Sequence, residues 1–72
     1  SKVDHINENK LIIESALAKL SDKYKAVIIL RLIDEYSTEE TAQILNVPVG
    51  TVLSRLARAQ ENLREILKPH KD

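Results

Sequence analysis

Apolar residues recur along most of this chain every three or four positions, the spacing of one face of a helix, and no segment shows the strict alternation of a half-buried strand. Four helical segments emerge. In the first, about 6–20, Ile6, Ile13, Ala16, Leu17 and Leu20 share a stripe while Leu11 points away from it. The second, about 22–34, follows Ser21, a plausible N-cap, and carries Asp22 in its first turn, where the helix dipole favours an acid. Its Ala26, Val27, Ile28, Ile29, Leu30, Leu32 and Ile33 point in nearly every direction, so it is either central to a core or covered on its outer side by a partner. Ser37 and Glu40 form an S-x-x-E capping box that starts a third helix near Thr38. Asn46 ends it, being tolerant of the left-handed backbone, and Pro48 needs no N–H at a helix start. The fourth helix, about 49–68, turns Val49, Val52, Leu56, Ala59, Leu63, Ile66 and Leu67 inward.

The connection between the third and fourth helices is so short that they must cross steeply, and the small side chain of Ala42 suits such a crossing. This predicts an all-α four-helix domain containing a helix-turn-helix, with DNA binding as the leading function. On the fourth helix Ser54 points directly outward, surrounded by Gly50, Thr51, Ala57, Arg58, Glu61 and Glu65, with Leu53, Arg55 and Arg64 on the flanks. The first half of a recognition helix is where side chains reach bases and phosphates. The candidate DNA-binding residues are therefore Gly50, Thr51, Ser54, Arg55 and Arg58, with backbone N–H groups at Gly50 and Thr51 assisting. Arg58 is the best base reader, because its fork matches both major-groove acceptors of guanine. A solvated face on which Arg55 and Arg58 pair with Glu61, Glu65 or Asn62 is the competing explanation, and it is the favoured one for Arg64 and Lys68.

Composition narrows the alternatives. Seventy-two residues make one small domain, and Tyr24 and Tyr36 are its only Phe, Trp or Tyr residues. Without cysteine there is no disulfide framework or thiolate metal site. His5 and His70 have no companion ligands, which argues against a metal. Glu39 and Glu40 suit a helix start better than acid–base catalysis, and one glycine does not make a phosphate-cradling loop. Neither an enzyme nor a cofactor is expected. The longest apolar run, 26–30, is far short of a membrane span, so no membrane partner is expected and the anticipated location is cytoplasmic. Eleven Lys and Arg balance eleven Asp and Glu. Only residues 49–72 are locally basic, by two, so the chain alone should bind DNA weakly and depend on a larger assembly.

The span 18–67 resembles region 4 of bacterial RNA polymerase sigma factors, particularly the extracytoplasmic-function class, through LSDKYKAVIILR, STEETAQIL and VPVGTVLSRLARA. That resemblance implies recognition of the upstream, minus thirty-five, element of double-stranded promoter DNA, with Thr51, Ser54, Arg55 and Arg58 at contact positions. It also implies docking of the polymerase β-flap tip, or of an anti-sigma protein, on an apolar surface of the first two helices. Leu11, Ile28, Ile29, Leu32 and Ile33 are the residues expected there. Leu53, Ala57 and Gln60 depart from the family by removing DNA-facing charge or contact area, Asn46 replaces a common glycine, and Thr41 a usual aliphatic residue. No counterpart to region 2, which melts promoter DNA, is present, so the chain reads as one domain of a longer protein. Two rival functions remain: the output domain of another transcription regulator, and a sigma-like interaction module that has lost DNA binding.

Overall fold

The computed structural model describes residues 2–69, with side chains from residue 9 onward. Four helices follow in order: α1 (Lys2–Ala18), α2 (Asp22–Ile28), α3 (Thr38–Leu45) and α4 (Val49–Leu67). The expected all-α architecture is what the described residues adopt. α2 continues without a break into a π-helical turn, Ile29–Ile33, because Ile28 and Ile29 both keep right-handed helical backbone. Asp34 N–H then reaches Ile29 O at 2.8 Å, one residue further back than an α-helix allows. Glu35, at φ 61°, reverses the chain, and Tyr36 N–H returns to Leu30 O at 2.9 Å. From the middle of the π turn, Arg31 Nη1 donates to Tyr36 O at 2.6 Å, tying the end of the helix to the segment that leads into α3.

The core is small. Leu20, Val27, Ile28 and Ala59 are buried at its centre, and Leu17, Tyr24, Leu45, Leu56, Leu63 and Ile66 pack around them half-exposed. Val52 and Thr41 are fully buried, the first on α4 and the second on α3. α2 and α3 both rest on α4, whereas α1 touches chiefly α4. With principal extents of 41 × 31 × 14 Å the molecule is a slab little more than one helix thick, and many aliphatic side chains have nothing to cover them.

That shape explains where the pattern-based expectations change. α1 starts at Lys2 rather than near residue 6 and ends at Ala18, and Ile13, assigned to its inward stripe, is exposed. Only Ala16, Leu17 and Leu20 reach the core; the side chain of Ile6 lies outside the described residues. Ser21 occupies the N-cap of α2 but its hydroxyl makes no capping bond; its carbonyl instead accepts the Tyr24 and Lys25 N–H groups. Ile28, expected on the partner-binding surface, is in the core at 3 % exposure, because α4 covers that side of α2. Ile29 is half-buried, and only Leu32 and Ile33 of that group from the second helix are open to solvent. Val49 and Leu67, at the two ends of α4's inward stripe, are exposed where the other helices run out.

Candidate nucleic-acid interface

The helix-turn-helix is held by local hydrogen bonds that its sequence specifies. Glu40 N–H donates to Ser37 Oγ at 3.0 Å and Ser37 N–H donates to Glu40 Oε1 at 2.9 Å, the reciprocal capping box that starts α3. Accepting the Ser37 backbone N–H, and then the Ser37 hydroxyl, favours the ionised carboxylate and lowers the Glu40 pKa. At the other end Asn46 is left-handed, φ 57° and ψ 50°. Val47 N–H reaches Ala42 O at 3.0 Å and Asn46 N–H reaches Gln43 O at 3.2 Å, the paired bonds of a Schellman motif. Pro48 is extended at the N-cap of α4, and its carbonyl accepts from Thr51 and Val52. Buried Ala42 and Thr41 then let α3 lie close against α4.

These constraints aim the first half of α4 outward. Gly50, Ser54 and Arg58 are exposed on it, while Thr51 and Arg55 are half-buried. Ser54 Oγ donates to Thr51 O at 3.1 Å, which leaves the lone pairs of the hydroxyl facing solvent. Among the described residues, neither Arg55 nor Arg58 makes a side-chain hydrogen bond or an ion pair, so the expected competition from Glu61, Glu65 and Asn62 is not used here. Arg64 behaves differently: its Nε–H donates to Gln60 O at 3.5 Å. Lys68 pairs with Glu65 at 3.4 Å. Thr51 N–H is already taken by Pro48 O at 3.0 Å, so of the two backbone groups named as phosphate donors only that of Gly50 has no acceptor among the described residues. Nothing lies within 4 Å of where a Cβ on Gly50 would sit, and its backbone is not left-handed. The protein itself therefore gives no steric reason for glycine there.

The arrangement is a short polar helix face at the end of a tight turn, with two uncommitted guanidinium groups. Residues 10–63 match the family model described as Sigma-70, region 4. The chain belongs to this sigma-70 region 4 family. Among its relatives, the ECF RNA polymerase sigma factor SigW of Bacillus subtilis is 50% identical over 56 residues, covering 78% of this chain and 30% of that protein. The RNA polymerase sigma-E factor of Streptomyces antibioticus is 40% identical over 60 residues, 83% of this chain and 33% of its own length. For the ECF RNA polymerase sigma-E factor of Haemophilus influenzae the figures are 35% over 63 residues, 88% and 33%. The region 4 chain thus spans about a third of the length of these relatives.

A second surface of this region 4 domain is apolar. Leu11 and Ile12 of α1 face Ile66 and Leu67 of α4 across a shallow groove, with Ser15, Ala16 and Lys19 along it. Leu67 and Leu63 continue into a depression shared with Leu32, Gln60 and Arg64. The surface expected from the first two helices is therefore built from three elements, and the end of α4 was the part not foreseen. The triple run Leu11-Ile12-Ile13 carried the missing signal, since three consecutive residues of a helix cannot all face one core. Another unforeseen residue is Tyr24 of α2, which lines a groove with Ser54, Ala57, Arg58, Glu61 and Asn62. No described helix is long and apolar enough to cross a membrane.

Proposed function

We propose that this chain is the promoter-reading domain of an extracytoplasmic-function sigma factor acting in the bacterial cytoplasm. The first half of α4 enters the major groove of the upstream, minus thirty-five, element. Family membership supports the class, and the observation that carries the reading is the uncommitted pair Arg55 and Arg58 on an exposed helix face just after the turn. Arg58 presents a planar fork to guanine O6 and N7, Ser54 accepts or donates at the groove floor, and Gly50 N–H meets a phosphate. The apolar surface of α1, Leu32 and the end of α4 docks on RNA polymerase at the β-flap tip, and an anti-sigma protein inhibits by covering it. A domain with no net charge releases few counterions and so holds DNA weakly. Attachment to polymerase supplies a high effective concentration of promoter, so weak intrinsic affinity is compatible with the task.

The test is fluorescence anisotropy with a duplex selected from a random pool. Arg58→Ala should weaken binding by about 1 to 3 kcal/mol and relax preference at one base position. Arg64→Ala, its side chain turned back on Gln60, should do less. Equal affinities for wild type and Arg58→Ala would reject the assignment. Leu53, 53% exposed beside Ser54, favours one second reading, an interaction module that has given up DNA; wild-type protein that selects no duplex would establish it.

A further inference from the structure

The groove between α2 and α4 has one wall on the proposed recognition helix and the other on a helix to which no DNA contact has been assigned. Ser54, Ala57, Arg58, Glu61 and Asn62 form the first wall and Tyr24 the second. Lys23, exposed at the start of α2, holds its ammonium 5.4 Å from the centroid of the Tyr24 ring. A cation over an aromatic face is attracted by the ring quadrupole, so the ring keeps this charge at the rim of the groove rather than free in solvent. Two acids are near in chain or space, Asp22 beside it and Glu61 across the groove. Among the described residues Lys23 forms an ion pair with neither, and the Tyr24 hydroxyl has no hydrogen-bond partner.

We propose that Lys23, seated over Tyr24, is a DNA phosphate contact that positions the strand flanking the recognition helix. The inference rests on the DNA-binding reading above. A helix with its side chains is about 10 to 12 Å across and fills a major groove about 12 Å wide. A second helix packed beside the recognition helix therefore cannot enter the groove and meets the phosphate ridge instead. The group it offers there is an ammonium, a compact charge suited to a phosphate and carrying no base preference. Tyr24 O–H adds one neutral donor on the same wall. Contacts of this kind fix the register of the helix on the duplex, which Arg58 needs before it can discriminate between bases.

The probe is a fluorescein-labelled duplex of random sequence, about thirty base pairs long, titrated with the full chain between 50 and 200 mM salt. Removing one phosphate contact reduces the salt slope by about 0.9, so over this fourfold rise the wild type should lose about 3.5-fold more affinity than Lys23→Gln. Lys23→Arg should keep the wild-type slope, and the thermal melting of both variants should match wild type, since the side chain is exposed. On a selected duplex Lys23→Gln should lower affinity by the same factor as on random sequence, unlike Arg58→Ala. Equal slopes for wild type and Lys23→Gln overturn the proposal while leaving the DNA reading in place. A wild type with no salt-dependent duplex binding overturns both.

Discussion

The two exposed surfaces of this domain differ in what they leave unsatisfied. On the first half of α4 the backbone is bonded except at the helix start, and the open groups are charged or polar: Arg55, Arg58, the Ser54 hydroxyl and the Gly50 N–H. Along α1, Leu32 and the end of α4 the open groups are aliphatic, with Leu11 64% and Leu67 48% exposed. Water solvates the first set at little cost, so that face is stable alone and gains its partner through charge and geometry. The second set is poorly hydrated, at about 25 cal/mol per Å² of apolar area, and gains from being covered by almost any complementary apolar surface. One surface is suited to reading and the other to holding.

The largest effect expected from breaking this comparison lies between the two surfaces, in the core that keeps them apart. Val52 is fully buried, and Val52→Ala should destabilise the fold by about 1.5 to 3 kcal/mol in chemical denaturation. Leu32→Ala removes an aliphatic group that is already 48% exposed and should change stability by about 0.5 kcal/mol or less. If Leu32→Ala costs as much as Val52→Ala, the exposed aliphatic surface is part of the core and no partner is needed to explain it. If it does not, titration with a β-flap-tip peptide should shift the NMR signals of Leu11, Ile12, Leu32 and Leu67 while leaving those of Thr51 to Arg58 nearly still.

Next in size is the capping box, which sets the angle at which the reading face is presented. Ser37→Ala removes the acceptor of Glu40 N–H and should cost about 1 kcal/mol. Its partner gives a pH signature. The Glu40 pKa is lowered on folding, so its contribution is fully present above the unfolded carboxylate value and is lost as pH falls through the folded one. Melting curves of wild type and Glu40→Gln should therefore converge as the pH is lowered through that window. Parallel curves across it would show that the carboxylate adds nothing.

Legibility in the sequence followed the range of the interactions. The capping box, the left-handed Asn46 and the start of α4 depend on residues a few positions apart, and the pattern located each of them. The π turn did not show, because Leu30 and Tyr36 are joined by bonds that the run Ile28 to Ile33 does not announce. Angular projection identified which residues of α4 face outward. It did not show that Thr51 N–H is taken by Pro48 O or that Tyr24 stands opposite Arg58, since both depend on where the chain passes in space. Ile28 was misplaced for a related reason: a helix apolar all round has no single outward face, and only contact with α4 decides which residues are covered.

A stabilising change is expected on the buried side of α3. Thr41 Oγ1 is enclosed with no hydrogen-bond partner, and valine has nearly the same shape without the hydroxyl. Exchanging an unsatisfied polar group for an apolar one of equal size should raise stability by about 1 kcal/mol in urea unfolding. A comparable loss would mean that the hydroxyl finds a partner, Ser37 O being the nearest in helical register. DNA affinity should not change in either case, because Thr41 is on the far side of the turn from Arg58.

The smallest expected change in stability separates the reading surface from the fold most directly. Gly50 lies in the first turn of α4 with open space at its Cβ position and no left-handed backbone to maintain. Alanine there should stabilise the helix by about 0.5 kcal/mol, since glycine loses more backbone entropy than any other residue. If Gly50 N–H meets a phosphate, added bulk will keep the phosphate away, so Gly50→Ala should weaken DNA binding and Gly50→Gln should weaken it further. Melting temperature and duplex affinity would then move in opposite directions in one variant. Both moving down together would make Gly50 a structural residue after all. An unchanged affinity with Gln would remove it from the interface and leave Ser54, Arg55 and Arg58 to carry the contact.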